Sequence, residues 1–448
     1  MSAETDRKWT ELTPEEKKAE RFKRWLTPPD INFINPEAKQ AYQERMQRLA
    51  DVYQMKEPDR VPVQLPFGIM PAYYAGVDFK TVMYDYDELR RAWKKFLNDF
   101  EMDTYTGPGM VMPGRIYDLL DYKLYTWPGH GLPDDATGHQ FVEAEYMGPD
   151  EYDALMLNPS DFWMRTYMPR IFGIFESFRH LQPFTNIIEL PAGYFTPFYR
   201  PDIQATLQAL IDIGKEFPKW QAAVSECTRE AQEAGVPSPR GGGLTKAPFD
   251  TIGDTLRGTQ GIIMDMYRQP EKLHEAMDVI ANLTIDAAIT SANASGGVTV
   301  GFPLHKGADG FMSAEQFETF YWPSLKKVCL ALIEEGLIPS LFAEGSYLTR
   351  LETVNEFPKG AIMWRFDQTD MATAKKVLGD NCCISGNVPT SLLTTGTAHD
   401  VKEYCRKLIE DCAPGGGYIL SSGASVDKAP PENMRAMMEA AREFGVYK

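Results

Sequence analysis

The chain has 448 residues, 43% of them hydrophobic and 12% aromatic, which supplies a large core and is far from a disordered composition. Lys and Arg number 46 against 63 Asp and Glu, a formal charge of -17 that repels phosphate backbones and anionic membrane faces. Nucleic acid and membrane surfaces are thereby excluded as partners, while the length fits either several domains or one enlarged barrel.

The N-terminal stretch MSAETDRKWTELTPEEKKAERFKRW is charged and lacks the apolar centre of a signal peptide, and no segment approaches the ~18 apolar residues of a membrane span. The cysteines Cys227, Cys329, Cys382, Cys383, Cys405 and Cys412 form no C-x-x-C pair, and the adjacent Cys382 and Cys383 suit no ordinary disulfide. A reduced, cytoplasmic and soluble protein is expected. Residues 1–58 read as a helical arm: Tyr42, Met46, Leu49 and Tyr53 recur at helical spacing after a loop with Pro28, Pro29 and Pro36. The arm is expected to pack on the main body or to join two copies into a homodimer.

From Arg60 the pattern changes. Val61–Pro66 reads as the first strand, and further strands are predicted at 104–106, 185–190, 244–248, 298–304, 338–344, 361–367, 382–387 and 418–422. Helices lie between them: 315–335 is opened by Ser313 and Gln316 as a capping box, and 399–412 by Thr397 and Asp400 in the same arrangement. Alternating strands and helices, close to eight times, predict an α/β fold, a (β/α)8 TIM barrel over 59–448. The stretch 104–183 is rich in Gly, Pro, Tyr and Trp without a period, and reads as an insertion covering the barrel mouth.

A barrel carries its chemistry at strand C-termini. Those ends supply Glu189, Lys246, Asp250, His305, Glu344, Asp367, Asn387 and Ser422. Glu344, in LFAEG, closes an apolar strand and is followed at once by glycine; burial without a partner would raise its pKa toward general acid–base use, whereas pairing with Arg350 would leave it structural. His305 stands in LHKGADGF as either a base or an ordinary hydrogen-bonding residue. Asp250 and Asp254 share a helical face in PFDTIGDTLRG, where a salt bridge to Arg257 is the plainer reading. Trp364 and Asp367 in MWRFDQTD combine aromatic wall and carboxylate. The catalytic candidates are Glu344, His305 and Asp367; the substrate-binding candidates are Glu189, Lys246, Tyr347, Trp364 and Asn387. The glycine runs 241–243 and 415–417 lack the spacing of a nucleotide fingerprint, and H-E-x-x-H and G-x-S-x-G are absent.

The run ISGNVPTSLLTTGTAHDVKEYCRKLIE and the following GGGYILSSGASVDKAPPENMRAMMEAAREFG resemble the uroporphyrinogen decarboxylase superfamily, which also holds corrinoid-linked methyltransferases. DRVPV at 59–63, DTLRGTQGIIMDMYRQPEKL at 254–273 and MSAEQFETFYWPSLKKV at 312–328 look like its spaced landmarks, so the resemblance spans about residues 58–446. It implies a (β/α)8 barrel with a mouth cleft. Two departures stand out. The arginine-rich loop with which the true decarboxylases hold a polycarboxylate tetrapyrrole corresponds to VPVQLPFGIMPAYYAGVDF, which has no arginine and so forfeits charge-assisted bonds to such a substrate. The His-x-Cys-Gly and Ser-Ser-Gly-Cys zinc ligands of the methyltransferase branch correspond to Phe342-Ala343-Glu344-Gly345 and Ser421-Ser422-Gly423-Ala424. The resemblance therefore implies a methyltransferase with no metal and no tightly bound cofactor, working with a corrinoid (cobalamin) on a partner protein and acting on a largely apolar or aromatic small molecule. The alternative is a cofactor-free decarboxylase of a small-molecule acid.

Overall fold

The computed structural model describes residues 7–447 except 28–30, 66, 188, 190–192 and 239–240. Ten strands occur among them, in chain order β1 (Val63–Gln64), β2 (Tyr125–Pro128), β3 (Gly131–Leu132), β4 (Gln140–Phe141), β5 (Gly241–Leu244), β6 (Thr299–Leu304), β7 (Ile338–Ala343), β8 (Met363–Phe366), β9 (Cys383–Val388) and β10 (Tyr418–Ser422). Seven pair in one parallel sheet, in the order β1-β10-β9-β8-β7-β6-β5. Helices separate its consecutive strands, the arrangement of a (β/α)8 barrel.

The eighth place, between β1 and β5, is held by the segment around Thr104–Thr106 without a regular ladder. The Asp103 carboxylate accepts from Val63 N at 2.9 Å, Thr106 Oγ1 donates to Leu65 O at 3.0 Å, and Tyr105 N donates to Pro237 O at 2.8 Å. A side chain occupies the backbone donor that a strand would have used, which is why the predicted strand is absent while its position in the ring is filled. The prediction at 185–190 fails among the described residues. Phe184–Asn186 is a 3-10 turn outside the sheet, and Ile188 and Leu190 lie outside the described residues. The strand expected at 244–248 lies earlier, at Gly241–Leu244. Its glycines disguise it, and Gly242 is there because a Cβ would meet Ala292 Cβ at 2.6 Å.

The arm forms two helices, Pro14–Leu26 and Pro36–Tyr53, started by Thr13 in a capping box with Glu16 and by Asn35. Phe22, Trp25, Met46, Leu49 and Tyr53 pack against Val298, Ile338, Met363, Cys383 and Ile419, at the starts of β6 to β10. The arm therefore covers the N-terminal end of its own barrel, the first of the two expected placements. Each such buried side chain contributes about 1.5–3 kcal/mol.

The insertion is folded. Its strands β2, β3 and β4 form a small sheet, fixed to the loop after β5 by bonds from Tyr146 N and Met147 N to Leu256 O and from Thr259 N to the Glu143 carboxylate at 2.6 Å. The 33-residue helix Pro201–Glu233 then leads back to β5. All six cysteines are free and buried. Among the described residues, no helix is long and apolar enough to cross a membrane.

Candidate functional site

The C-terminal ends of β5 to β8 converge on one charged mouth. Beyond β5, Asp250 is fully buried under the floor of this mouth. Its carboxylate accepts from His305 N and Lys306 N, both at 3.0 Å, and from the Tyr321 hydroxyl at 2.7 Å. Asp250 thus fixes the turn that follows β6 and aims His305. Burial, and then the charge of Asp254, push the Asp250 carboxyl above the ordinary range.

Asp254, one helical turn later, is the electrostatic centre. It receives His305 Nδ1 at 2.5 Å, Lys246 Nζ at 3.0 Å and Lys306 Nζ at 2.8 Å. Burial works to raise its pKa, but His305 and the two lysines outweigh it and hold the carboxylate well below the usual range. The same hydrogen bond raises His305 above an ordinary imidazole, against the opposing effect of burial. His305 Nε2 faces Glu344 Oε1 at 3.7 Å across the ends of β6 and β7. Glu344 is raised chiefly by burial; His305 and Arg365 oppose this, and Asp367 and Asp254 reinforce it. The side chains of His305 and Glu344 keep 33% and 42% of their surface exposed, so a ligand entering the mouth can reach both.

Asp367, at the end of β8, accepts from Gly345 N at 3.1 Å, and Gly345 takes a φ of 80° to make that turn directly after Glu344. Gly423, after β10, lies so close that a Cβ there would sit 2.9 Å from Asp367 Oδ1. Lys246 is brought to the mouth through Asp254. Asn387 also stands at a strand end, but it is buried and donates to Thr369 O at 2.7 Å.

The other binding candidates are placed elsewhere. Trp364 is fully buried and turned toward the helices, with ring centroids 6.5 Å from Trp322 and 6.2 Å from Tyr347, so it packs rather than lines a pocket. Tyr347 is fully buried beside it and presses on Phe317. Glu189 is exposed in a bend, away from any strand end. Arg350 is not the partner of Glu344: it lies buried over the Phe317 ring, 3.5 Å from Asp309. Arg257 leaves Asp254 alone and pairs with Asp265 at 2.6 Å and with Glu145.

The sequence therefore under-weighted Asp250 and Asp254, and Lys306 and Arg365 were missed. The signal for Arg365 was its parity with Asp367, which puts both on one face of β8.

Aromatic groups approach from the insertion. Tyr125 feels the charge of Asp254, and its ring packs edge-on against His139, with centroids 5.0 Å apart. Zinc does not fit this mouth. The places of the family's ligands hold a phenyl group at Phe342, a single carboxylate at Glu344 and a methyl group at Ala424. Among the described residues, no three His, Cys, Asp or Glu side chains stand together for a metal ion.

Comparisons with known proteins agree with this geometry at the level of family. The uroporphyrinogen decarboxylase (URO-D) family model matches residues 198–444, more than half of the chain. The chain is 26% identical over 267 residues to a uroporphyrinogen decarboxylase of Trichodesmium erythraeum, covering 58% of this chain and 72% of that protein. It is 24% identical over 285 residues to one from an Enterobacter species, covering 57% and 76%. Among solved structures, a methyltransferase from Methanosarcina mazei superposes with a TM-score of 0.56 at 13% identity, over 89% of this chain and 98% of that one, and so shares the fold. The mouth at the ends of parallel strands and the match over 198–444 lead to one conclusion: this chain belongs to the uroporphyrinogen decarboxylase family.

Proposed function

We propose that the protein is a substrate-side methyltransferase. The mouth takes a largely apolar or aromatic small molecule whose methyl group is carried on a heteroatom, and that methyl passes to an acceptor brought by a second protein. A corrinoid on that partner would supply the nucleophilic acceptor. The observation that carries this reading is His305, pinned to Asp254 at 2.5 Å and facing Glu344 at 3.7 Å. When the carbon–heteroatom bond breaks, its electron pair stays on the heteroatom, which needs a proton to leave. His305, whose pKa the bond to Asp254 raises, is the group to give that proton from Nε2, and Glu344 shares the neighbouring position. Such a general acid contributes about 10²–10⁴-fold. With the zinc-ligand positions altered, the site is suited to releasing a methyl from a donor rather than to activating a thiol.

The test mixes the protein with reduced cobalamin and a set of aryl methyl ethers and methylamines, following the cobalamin absorbance and the demethylated product. Product formation lost in His305→Asn supports the reading. Absence of demethylated product from every donor overturns it.

A second reading is favoured by one observation, the cations beside the same acids: Lys246 and Lys306 on Asp254, and Arg365 below Asp367 and Glu344. A non-porphyrin acid bound there would lose CO2, the bond's electron pair staying on carbon and taking the proton from Glu344 or Asp367. The tetrapyrrole itself is disfavoured, because Leu65, Phe67, Ile69 and Met70 are buried apolar residues where polycarboxylate-binding arginines would be needed. Release of CO2 from a candidate acid, abolished in Glu344→Gln or Asp367→Asn, would select this reading over methyl transfer.

A further inference from the structure

The barrel interior beneath the mouth is not filled in the usual way. In a parallel sheet, residues in register point to the same side, and a packed barrel lines its inside with bulky branched side chains. Here the inward-facing register runs Gly301↔Ser340, Pro303↔Phe342, Phe342↔Arg365, Arg365↔Ser385 and Ser385↔Ile419, and Gln64↔Ser421 carries the same side on to β1. Most of these side chains are small. Gln64, Gly301, Pro303, Ser340, Phe342 and Arg365 all retain solvent exposure, whereas their outward-facing neighbours Val300, Phe302, Leu341 and Trp364 are buried against the helices. The exposed side of β1 and of β6 to β8 is therefore a lumen open to the mouth, while Ser385 and Ser421 on the same side of β9 and β10 are buried in its wall.

Arg365 stands in the wall of that lumen. Its guanidinium lies 4.1 Å over the Phe342 ring and reaches across β9 to Gly423 O at 3.5 Å, a long and weak contact. Among the described residues, no carboxylate comes within ion-pair distance of it. Its Nε is buried without a hydrogen-bond partner, and so is the hydroxyl of Ser385, its register neighbour on β9. A buried guanidinium nitrogen and a buried hydroxyl left unmatched on register partners of adjacent strands are costly unless something else completes them.

We propose that Arg365 and Ser385 form the anchor for a carboxylate of the substrate, which enters the lumen end-on, so that the substrate class is a small aromatic or apolar carboxylic acid whose reacting end lies at His305 and Glu344. The planar fork of an arginine matches a carboxylate in two parallel bonds, and Phe342 holds the fork flat. Burial lowers the Arg365 pKa only to about 10, so the anchor stays charged at neutral pH. Asp367 and Glu344 lie above it. Arg365 is roughly 6–7 Å of strand below Asp367, which leaves room for a single ring between anchor and acids.

This inference rests on the mouth as the substrate site but not on the reaction, so it is tested by binding without turnover. The probes are 4-methoxybenzoate and its neutral near-isostere 4-methoxybenzamide, titrated calorimetrically into the full chain. The wild type should bind the benzoate and discriminate against the amide, and Arg365→Gln should weaken the benzoate by at least about 30-fold while leaving the amide unchanged. Ser385→Ala should weaken the benzoate by a few-fold, and Arg365→Lys should fall between it and Arg365→Gln; these two carry the test if the glutamine variant does not fold. The anchor is overturned if the wild type binds benzoate no better than amide, or if folded variants bind benzoate as the wild type does. Benzoate binding without demethylation would retain the anchor and discard methyl transfer, whereas demethylation of neutral ethers alone would do the reverse.

Discussion

Replacing Asp254 by Asn isolates the electrostatic centre of the mouth. The amide is nearly isosteric, so packing is kept while one buried charge disappears from between His305, Lys246 and Lys306, at 2.5, 3.0 and 2.8 Å. Asp254 and Lys306 have only 9% and 10% of their side-chain surface exposed. Breaking a buried pair costs about 3–5 kcal/mol, and the lower figure applies because His305 and Lys246 each keep about a third of their surface in water. A loss of about 3 kcal/mol is therefore expected near neutral pH. The sign of its pH dependence follows from His305. Its folded pKa is raised, so its share of the stability is complete below the ordinary imidazole value and is lost as pH rises through the raised one. Asp254 itself titrates well below the working range, so its own share stays constant there. The gap between wild type and Asp254→Asn, read from urea unfolding followed by tryptophan fluorescence, should be widest just below the ordinary imidazole pKa and narrow as pH rises through the raised value of His305. Equal stabilities, or a gap that stays constant across that range, would refute the argument.

Turnover should be steady in mild acid and fall as pH rises through the raised pKa of His305; in Asp254→Asn that fall should move to lower pH, as read from kcat/KM profiles. Trp364→Ala should cost about 3–5 kcal/mol in unfolding experiments yet leave KM nearly unchanged in the folded fraction, because the indole faces helices and not the mouth. The thiols of Cys382, Cys405 and Cys412, each pushed up to about 12 by burial, should resist alkylation in the native protein and react only on unfolding, as counted by mass spectrometry.

Much of the barrel was legible because β6, β7 and β8 are short apolar-rich runs followed directly by His305, Glu344 and Asp367, and both capping boxes name their helix starts outright. What escaped did so for local reasons. Asp103 replaces a ladder bond at the eighth position with its own carboxylate, which no propensity reveals. The apolar look of residues 185–190 outweighed the prolines at 183 and 191 that bracket them. The site followed the same logic. His305, Glu344 and Asp367 were visible as strand ends, whereas Asp254 looked like half of a helical salt bridge because Arg257 sits three residues on. Its true partners come from β6 and from the loop after β5, and only the closed barrel brings them together.

The arm carries a consequence for the depth of the pocket. Ile338, Met363, Cys383 and Ile419 form the lowest inward layer, and the helices Pro14–Leu26 and Pro36–Tyr53 lie directly beneath it. The floor of the lumen is thus laid by a segment outside the βα repeats, and the Lys17–Glu335 contact that ties it down joins residues 318 apart in sequence. The arm thus docks on a surface assembled from five strands spread over residues 298–419. Lengthening or trimming that arm would change how far a ligand can descend without touching a single residue at the mouth.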